Sequence, residues 1–143
     1  MNTSAARVAV VVGLMRRDDG AVLMTSRPCQ KVYEGYWEFP GGKVESHETA
    51  AQALQRELQE EIGVVVTTHH PAWTVSHDYA HAHVDLHFYW VTSWLGNPQP
   101  LERQQIVWVR PGEAWPYPVL PASVPLLDRI GLTARTGPSL RPT

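Results

Sequence analysis

The chain has 143 residues, of which 43% are hydrophobic and 18% are charged, and its formal net charge is −2. This length suits a single domain with a buried core, and the composition excludes a disordered chain. The near-balance of charge gives no sign of binding to polymeric nucleic acid or to a membrane surface. The single cysteine, Cys29, excludes an internal disulfide. No apolar run is long enough to span a membrane and no secretory cleavage signal is present, so we expect a cytoplasmic protein.

The first third of the chain predicts strands joined by turns. Positions 8–15 are apolar and rich in valine, and an Asp-Gly turn separates this segment from a second apolar segment at 21–25. That pattern predicts a β-hairpin. A loop over residues 28–35 leads to the segment 37–42, whose two final glycines free the backbone for a sharp turn.

One helix is predicted with clear boundaries. Thr49 is a good N-cap, and Gln52 three residues later completes a capping box. Helix-forming residues fill Ala50–Ile62, and Gly63 is suited to ending the helix.

The remainder of the chain predicts further strands and one more helix. The predicted strands are residues 64–68, 73–76, 84–93 and 106–109. A short second helix is predicted over 123–130, with Ser123 as its N-cap. We expect a mixed α/β sandwich in one domain, residues 1–132, followed by a disordered tail at 133–143.

The first helix carries an unfavourable concentration of carboxylates. At about 100° per residue, Glu57, Glu60 and Glu61 share one side, away from the apolar stripe of the helix. Glu57 and Glu61 repel each other at a cost of about 0.2–0.5 kcal/mol. The helix dipole disfavours anions in the last turn by about 0.3–1 kcal/mol each. The cluster is either a solvated charged face or a site for a hard divalent cation such as Mg²⁺, which binds carboxylate oxygens and substrate phosphates.

The residues around this cluster have a fixed spacing. They are Gly42, Glu48, Arg56, Glu57, Glu60, Glu61 and Gly63. This spacing resembles the Nudix box, G-x5-E-x7-R-E-U-x-E-E-x-G-U, at every position. Residues 37–45 and 120–125 resemble the MutT-type branch of that superfamily. The implied fold is the Nudix α/β/α sandwich, with a central mixed sheet and the loop-helix-loop motif.

The resemblance also implies an activity, namely Mg²⁺-dependent hydrolysis of nucleoside triphosphates to monophosphate and pyrophosphate, with Mn²⁺ as a substitute metal. Sanitation of oxidised nucleotides is one role of such enzymes. The expected partner is a small nucleotide, with no polymeric nucleic acid and no membrane, and the expected oligomeric state is a monomer or a homodimer.

The resemblance assigns roles to individual residues. The implied metal ligands are the Gly41 backbone, Glu57, Glu60, Glu61 and, from a later loop, Glu102. Glu57 is the preferred general base, because a carboxylate near a metal-bound water can take its proton. Glu48 and Arg56 would brace the preceding loop against the helix. Glu102 could equally be an ordinary loop glutamate.

The implied substrate contacts are Arg27, Phe39, Gly41 and Ser123. The planar guanidinium of Arg27 suits bidentate phosphate binding, although an ordinary surface arginine is the alternative. Ser123 stands where MutT-type enzymes that recognise oxidised guanine carry asparagine. Because a hydroxyl lacks the paired donor and acceptor of an amide, this departure puts specificity for 8-oxo-dGTP in doubt. Ser123 could instead simply cap the second helix.

Three alternatives remain open. Tyr79 lies near a position where dinucleoside-polyphosphate hydrolases carry a tyrosine, so another Nudix substrate is the second hypothesis. The third is a non-catalytic Nudix module that binds nucleotide. The last alternative is a zinc-binding protein, because the alternation of side chains along a strand would place four of them on one face. These side chains are His81, His83, Asp85 and His87.

Overall fold

The computed structural model describes residues 7–29, 31–80, 82–113, 118–121, 123–124, 127 and 129. Within them the chain forms seven strands and one α-helix. In chain order these are β1 Arg7–Met15, β2 Val22–Ser26, β3 Trp37–Glu38, β4 Gly41–Lys43, α1 Ala50–Ile62, β5 Val65–Tyr79, β6 Ala82–Leu95 and β7 Ile106–Val109.

The strands form a larger mixed sheet and a smaller antiparallel one. The larger sheet has the order β4-β1-β6-β5, in which β1 is parallel to β6 and the other pairs are antiparallel. The smaller sheet has the order β3-β2-β7. The predicted mixed sheet is therefore confirmed, and a second sheet accompanies it.

The predicted hairpin of the first two strands is wrong. β1 and β2 belong to different sheets, and only a single antiparallel bridge, between Arg16 and Val22, joins them beside the turn. The reason is that β4 and β6 occupy both edges of β1. The Asp-Gly turn is present where the sequence predicts it, but a turn alone does not decide which strands pair with β1.

The predicted strands 64–68 and 73–76 are parts of one strand. β5 runs for 15 residues through Pro71, and its register against β6 shifts at three places. β5 lies at one edge of its sheet, so the missing N–H of Pro71 does not break a second ladder. At each register shift a β-bulge places two residues of one strand opposite one residue of the other, so the pairing continues on both sides of the shift.

The predicted helix has the boundaries that its sequence indicates. The Thr49 hydroxyl accepts a hydrogen bond from the Gln52 N–H at 3.1 Å, and the Gln52 side chain accepts one from the Thr49 N–H at 2.8 Å. Gly63 ends the helix in the left-handed region, with φ of 74°. The capping box and the glycine stop are both confirmed.

β1 supplies both halves of the hydrophobic core. Val11 and Met15 belong to the cluster that also contains the apolar stripe of α1, which is Leu54, Leu58 and Ile62. Val12 and Leu14 belong to a second cluster with Phe88 of β6. Because neighbouring side chains of a strand point to opposite faces, β1 is buried on both faces, and α1 is anchored on one of them.

The second predicted helix, residues 123–130, falls largely outside the described residues, and the predicted tail at 133–143 falls wholly outside them. Within the described part of the chain, no helix has the length and apolar character needed to cross a membrane.

The capping box gives a test of helix stability. We expect Thr49→Ala to lower the free energy of unfolding by about 1 kcal/mol, because it removes the hydroxyl that binds the Gln52 N–H. Urea denaturation measures this difference. Thr49→Ser keeps a hydroxyl and serves as the control, so an equal loss in both variants would contradict a capping role.

Candidate active site

A cleft of about 660 Å³ lies between the smaller sheet, β4 and the acidic side of α1. It brings together most of the residues that the sequence singled out. Those that line it are Arg27, Gly41, Arg56, Glu57, Glu60, Glu61 and Glu102. Glu48 does not line the cleft but binds Arg56 behind it.

Two predicted substrate residues do not line this part of the site. Phe39 is 3% exposed and belongs to the hydrophobic core with Val12 and Phe88, so its aromatic ring serves in packing. Ser123 is 7% exposed, and its N–H donates to the Leu120 carbonyl oxygen at 2.9 Å. Neither residue lines the cleft that holds the carboxylates.

The two glycines that begin β4, Gly41 and Gly42, let this strand lie very close to its neighbours. A Cβ atom at Gly42 would overlap the Glu57 carboxyl group, and one at Gly41 would overlap the Val11 backbone. A larger residue at Gly42 would push the Glu57 carboxyl group aside, and one at Gly41 would displace β4 from the backbone of β1. The sharp turn predicted at these glycines is wrong, because both are paired with β1 in the sheet, and what requires glycine is the short contact distance.

Arg56 joins the helix to the loop that follows β4. Its guanidinium donates to the Glu48 carboxylate at 3.1 Å, to the Lys43 carbonyl oxygen at 3.0 Å and to the Glu57 carboxylate at 3.1 Å. The Glu45 N–H also donates to Glu48, at 2.9 Å. The Arg56 hydrogen bond, helped by that backbone bond, lowers the pKa of Glu48 to about 2. Both partners therefore remain charged near neutral pH.

The helix carboxylates differ in their surroundings. Glu61 is 9% exposed, and burial raises its pKa well above the ordinary value, with the charges of Glu38 and Glu102 adding to the effect. A hydrogen bond from the Gly41 backbone partly opposes this shift. Burial also raises the pKa of Glu57, while Glu60 is 57% exposed. Several carboxylates thus face one cleft with too little positive charge to balance them.

Glu38 is a cleft residue that the sequence analysis missed. It lies on β3, and its carboxylate is 3.5 Å from the Arg27 guanidinium. Burial raises its pKa to about 7, although Arg27 opposes the shift. The available signal in the sequence was the position of Glu38 between two aromatic residues, Trp37 and Phe39, in a segment that packs against the core.

The donor set suits a hard divalent cation, since it consists of carboxylate oxygens whose mutual repulsion a cation would relieve. In the described part of the chain, however, no three His, Cys, Asp or Glu side chains are grouped closely enough to hold a metal. The physical reason is visible at Arg56, whose Nη1 atom binds Glu57 at 3.1 Å and Glu60 at 3.4 Å. These two side chains are turned toward the arginine.

The predicted zinc face has other partners. His83 binds Asp78, Asp85 binds Arg7 and Ser76, and His87 lies 3.3 Å from the Thr74 hydroxyl. His81 lies outside the described residues. Each described member of that face is therefore engaged separately, in line with an ordinary polar strand face. These contacts offer no support for a zinc site.

A helix that presents three carboxylates to a cleft, held by an arginine and packed against a glycine-containing strand, defines a Nudix-type domain on a mixed sheet. A sequence profile of the NUDIX domain matches residues 11–129. The chain therefore belongs to the Nudix family and is a hydrolase of the MutT type. Nudix hydrolases generally require a divalent metal ion.

Individual relatives extend this comparison. The CTP pyrophosphohydrolase of Escherichia coli K12 is 40% identical over 121 residues, which cover 85% of this chain and 89% of that protein. The 8-oxo-dGTP diphosphatase of Proteus vulgaris is 43% identical over 88 residues, covering 62% of this chain and 79% of that protein. A solved structure from a study of MutT of Aliivibrio salmonicida and Vibrio cholerae has a TM-score of 0.74 at 34% identity. The match covers 87% of this chain and 97% of the solved one.

The raised pKa of Glu38 predicts a pH-dependent stability. With a pKa of about 7 in the folded state and 4.5 as its ordinary value, the folded protein binds this proton more tightly. The contribution of Glu38 to stability therefore falls as the pH rises from about 4.5 to 7 and is constant above that range. We expect Glu38→Gln to be stabilising at pH 7.5 and nearly neutral at pH 4.5.

Urea unfolding in the presence of a chelator, at both pH values, measures this difference. Glu113→Gln, on an exposed turn outside the cleft, is the control and should show no such change with pH. A constant difference between Glu38→Gln and the wild type across the range would contradict the assignment.

Proposed function

We propose that the protein hydrolyses nucleoside triphosphates to nucleoside monophosphate and pyrophosphate, using Mg²⁺. The observation that carries this proposal is the cluster of mutually repelling carboxylates at the end of α1, of which Glu61 is buried, facing Arg27 across one cleft. Such a cluster is stabilised by a divalent cation, and a nucleotide triphosphate brings phosphate oxygens as the remaining ligands.

The residues that would hold Mg²⁺ are the Gly41 backbone, Glu57, Glu60, Glu61 and Glu102. When bound, Mg²⁺ neutralises charge on the phosphates and lowers the pKa of a bound water, and Mn²⁺ can supply the same chemistry. Arg56 keeps its contacts to Glu48 and to the Lys43 carbonyl oxygen, which hold the helix against the preceding loop. Metal binding would require Glu57 and Glu60 to release Arg56.

The protein's own groups then have separable tasks. Arg27 lines the cleft beside the carboxylates, where its guanidinium would contact a phosphate of the substrate. Glu57 would take the proton of the attacking water. Burial already raises the pKa of Glu57, and a base whose pKa lies closer to neutrality accepts a proton more readily in the transition state.

The two curated relatives favour triphosphates but differ in their base. The CTP pyrophosphohydrolase is 40% identical over 85% of this chain, whereas an 8-oxo-dGTP diphosphatase of Haemophilus influenzae is 34% identical over 86%. Ser123 cannot present the paired donor and acceptor that an asparagine offers to an oxidised guanine. We therefore place cytidine nucleotides first and oxidised guanine nucleotides second. We expect the enzyme to act on small nucleotides in the cytoplasm, as a monomer or a homodimer.

The direct test is a panel of nucleotides, oxidised nucleotides and dinucleoside polyphosphates with Mg²⁺, analysed by chromatography of the products. We expect monophosphate and pyrophosphate from triphosphates. Glu57→Gln should lower that rate by about 10²–10⁴-fold because it removes the general base. Glu113→Gln is the matched control and should retain the wild-type rate. An unchanged rate in Glu57→Gln would remove this residue from the mechanism.

A substitution at Ser123 tests which nucleotide base the enzyme prefers. We expect Ser123→Asn to raise kcat/KM for 8-oxo-dGTP relative to CTP by about tenfold, because the amide adds a donor and an acceptor. Competition assays with both nucleotides measure the ratio, and thermal unfolding checks that the buried position tolerates asparagine. Ser123→Ala is the control and should leave the ratio unchanged. If the ratio is also unchanged in the asparagine variant, Ser123 does not face the base.

A further inference from the structure

A loop covers the C-terminal end of α1. The 96–105 loop connects β6 to β7. The Gln99 N–H donates to the Ile62 carbonyl oxygen at 2.9 Å, and the Leu101 N–H donates to the Glu61 carbonyl oxygen at 3.2 Å. The last carbonyl groups of a helix lack partners within the helix. The 96–105 loop supplies those partners, so its position is tied to the final turn of α1.

Gln104 is buried within this loop, with 6% of its surface exposed. Its Nε2 atom donates to the Glu61 carbonyl oxygen at 3.0 Å, and its Oε1 atom accepts from the Glu102 N–H at 2.8 Å. The Gln104 amide therefore links the backbone of Glu61 on the helix to the backbone of Glu102 on the loop.

The turn between Glu102 and Gln104 has an unusual backbone. Arg103 has φ of 63°, in the left-handed region that residues other than glycine seldom occupy. Such a conformation is unfavourable and persists where the surrounding contacts impose it. The hydrogen bond from the Glu102 N–H to Gln104 closes across Arg103 and is a contact of that kind.

We propose that Gln104 is a positioning residue of the metal site, whose side-chain amide holds Glu102 beside Glu61. This inference rests on the proposed function, because it takes both glutamates as metal ligands. Glu102 is exposed on a loop, so without this tether its carboxylate would visit the cleft only part of the time. Both glutamates line the cleft, which places the tether directly behind the carboxylates it orients.

The charges agree with this geometry. Glu102 is among the groups whose charge raises the pKa of Glu61, and both residues line the same cleft. Holding two repelling anions together is unfavourable without a cation, and hydrogen bonds that anchor their backbones are one way to maintain the arrangement. Groups that orient metal ligands in this way typically change metal affinity by 10–100-fold when they are removed.

The test replaces Gln104 by methionine, which has a similar length and cannot form either hydrogen bond. Binding of Mn²⁺ to the nucleotide-free protein is measured by the electron paramagnetic resonance signal of the free ion. We expect the Kd for Mn²⁺ to rise about tenfold, with kcat at saturating Mg²⁺ remaining within about threefold of the wild type. Gln105→Met, at the exposed neighbouring position, is the matched control and should leave the Kd unchanged.

A second variant guards against failure of the first to fold. Gln104→Asn keeps the amide but is one methylene shorter, so it cannot span both backbone groups. We expect it to weaken Mn²⁺ binding in the same direction as methionine, and thermal unfolding shows whether each variant is folded. A folded Gln104 variant with wild-type Mn²⁺ affinity would overturn the proposal.

A double-mutant cycle with Glu102→Gln separates positioning from a general structural role. We expect Gln104→Met to have little further effect on Mn²⁺ affinity once Glu102 has lost its charge. Additive losses would overturn the proposal, because they would show that Gln104 does not act through Glu102. Absence of Mn²⁺ binding by the wild type would overturn the proposed function as well, so the two failures give different results.

Discussion

The concentration of carboxylates at the last turn of α1 is the constraint on which the rest of the site depends. Burial of Glu61 and partial burial of Glu57 disfavour their charged forms, and the helix dipole adds to the cost. The protein keeps these groups together through fixed contacts on both sides. Arg56 binds the acidic side of the helix, and the 96–105 loop caps its C-terminal carbonyl groups.

The framework behind the site is built around β1. This strand has β4 and β6 on its two edges and a hydrophobic cluster on each face, so it cannot shift without disrupting all four neighbours. α1 packs on one of these faces through its apolar stripe. The same placement brings Glu57 against Gly42 of β4, where only a glycine leaves room. Core packing and the geometry of the acidic cleft therefore have a common origin.

Local sequence signals predict the helix correctly but do not predict all of the strand pairing. The helix was correct at both ends, because its capping box and its terminal glycine lie within a few residues of the boundaries they set. The hairpin of β1 and β2 was wrong, and β5 was divided at Pro71. Both errors concern pairing partners. A strand's neighbour is chosen by packing across the whole chain, and a proline is tolerated once the strand lies at an edge.

The spacing of the acidic residues on α1, their shared side and the family they indicate are properties of a short segment. They could be deduced from the order of residues, because helical periodicity and motif spacing are local. The raised pKa of Glu38, the burial of Phe39 in the core and the bridging amide of Gln104 could not. Each depends on groups distant in the chain that meet only when β3, α1 and the 96–105 loop pack together. Burial and the distances between charges arise in that packing.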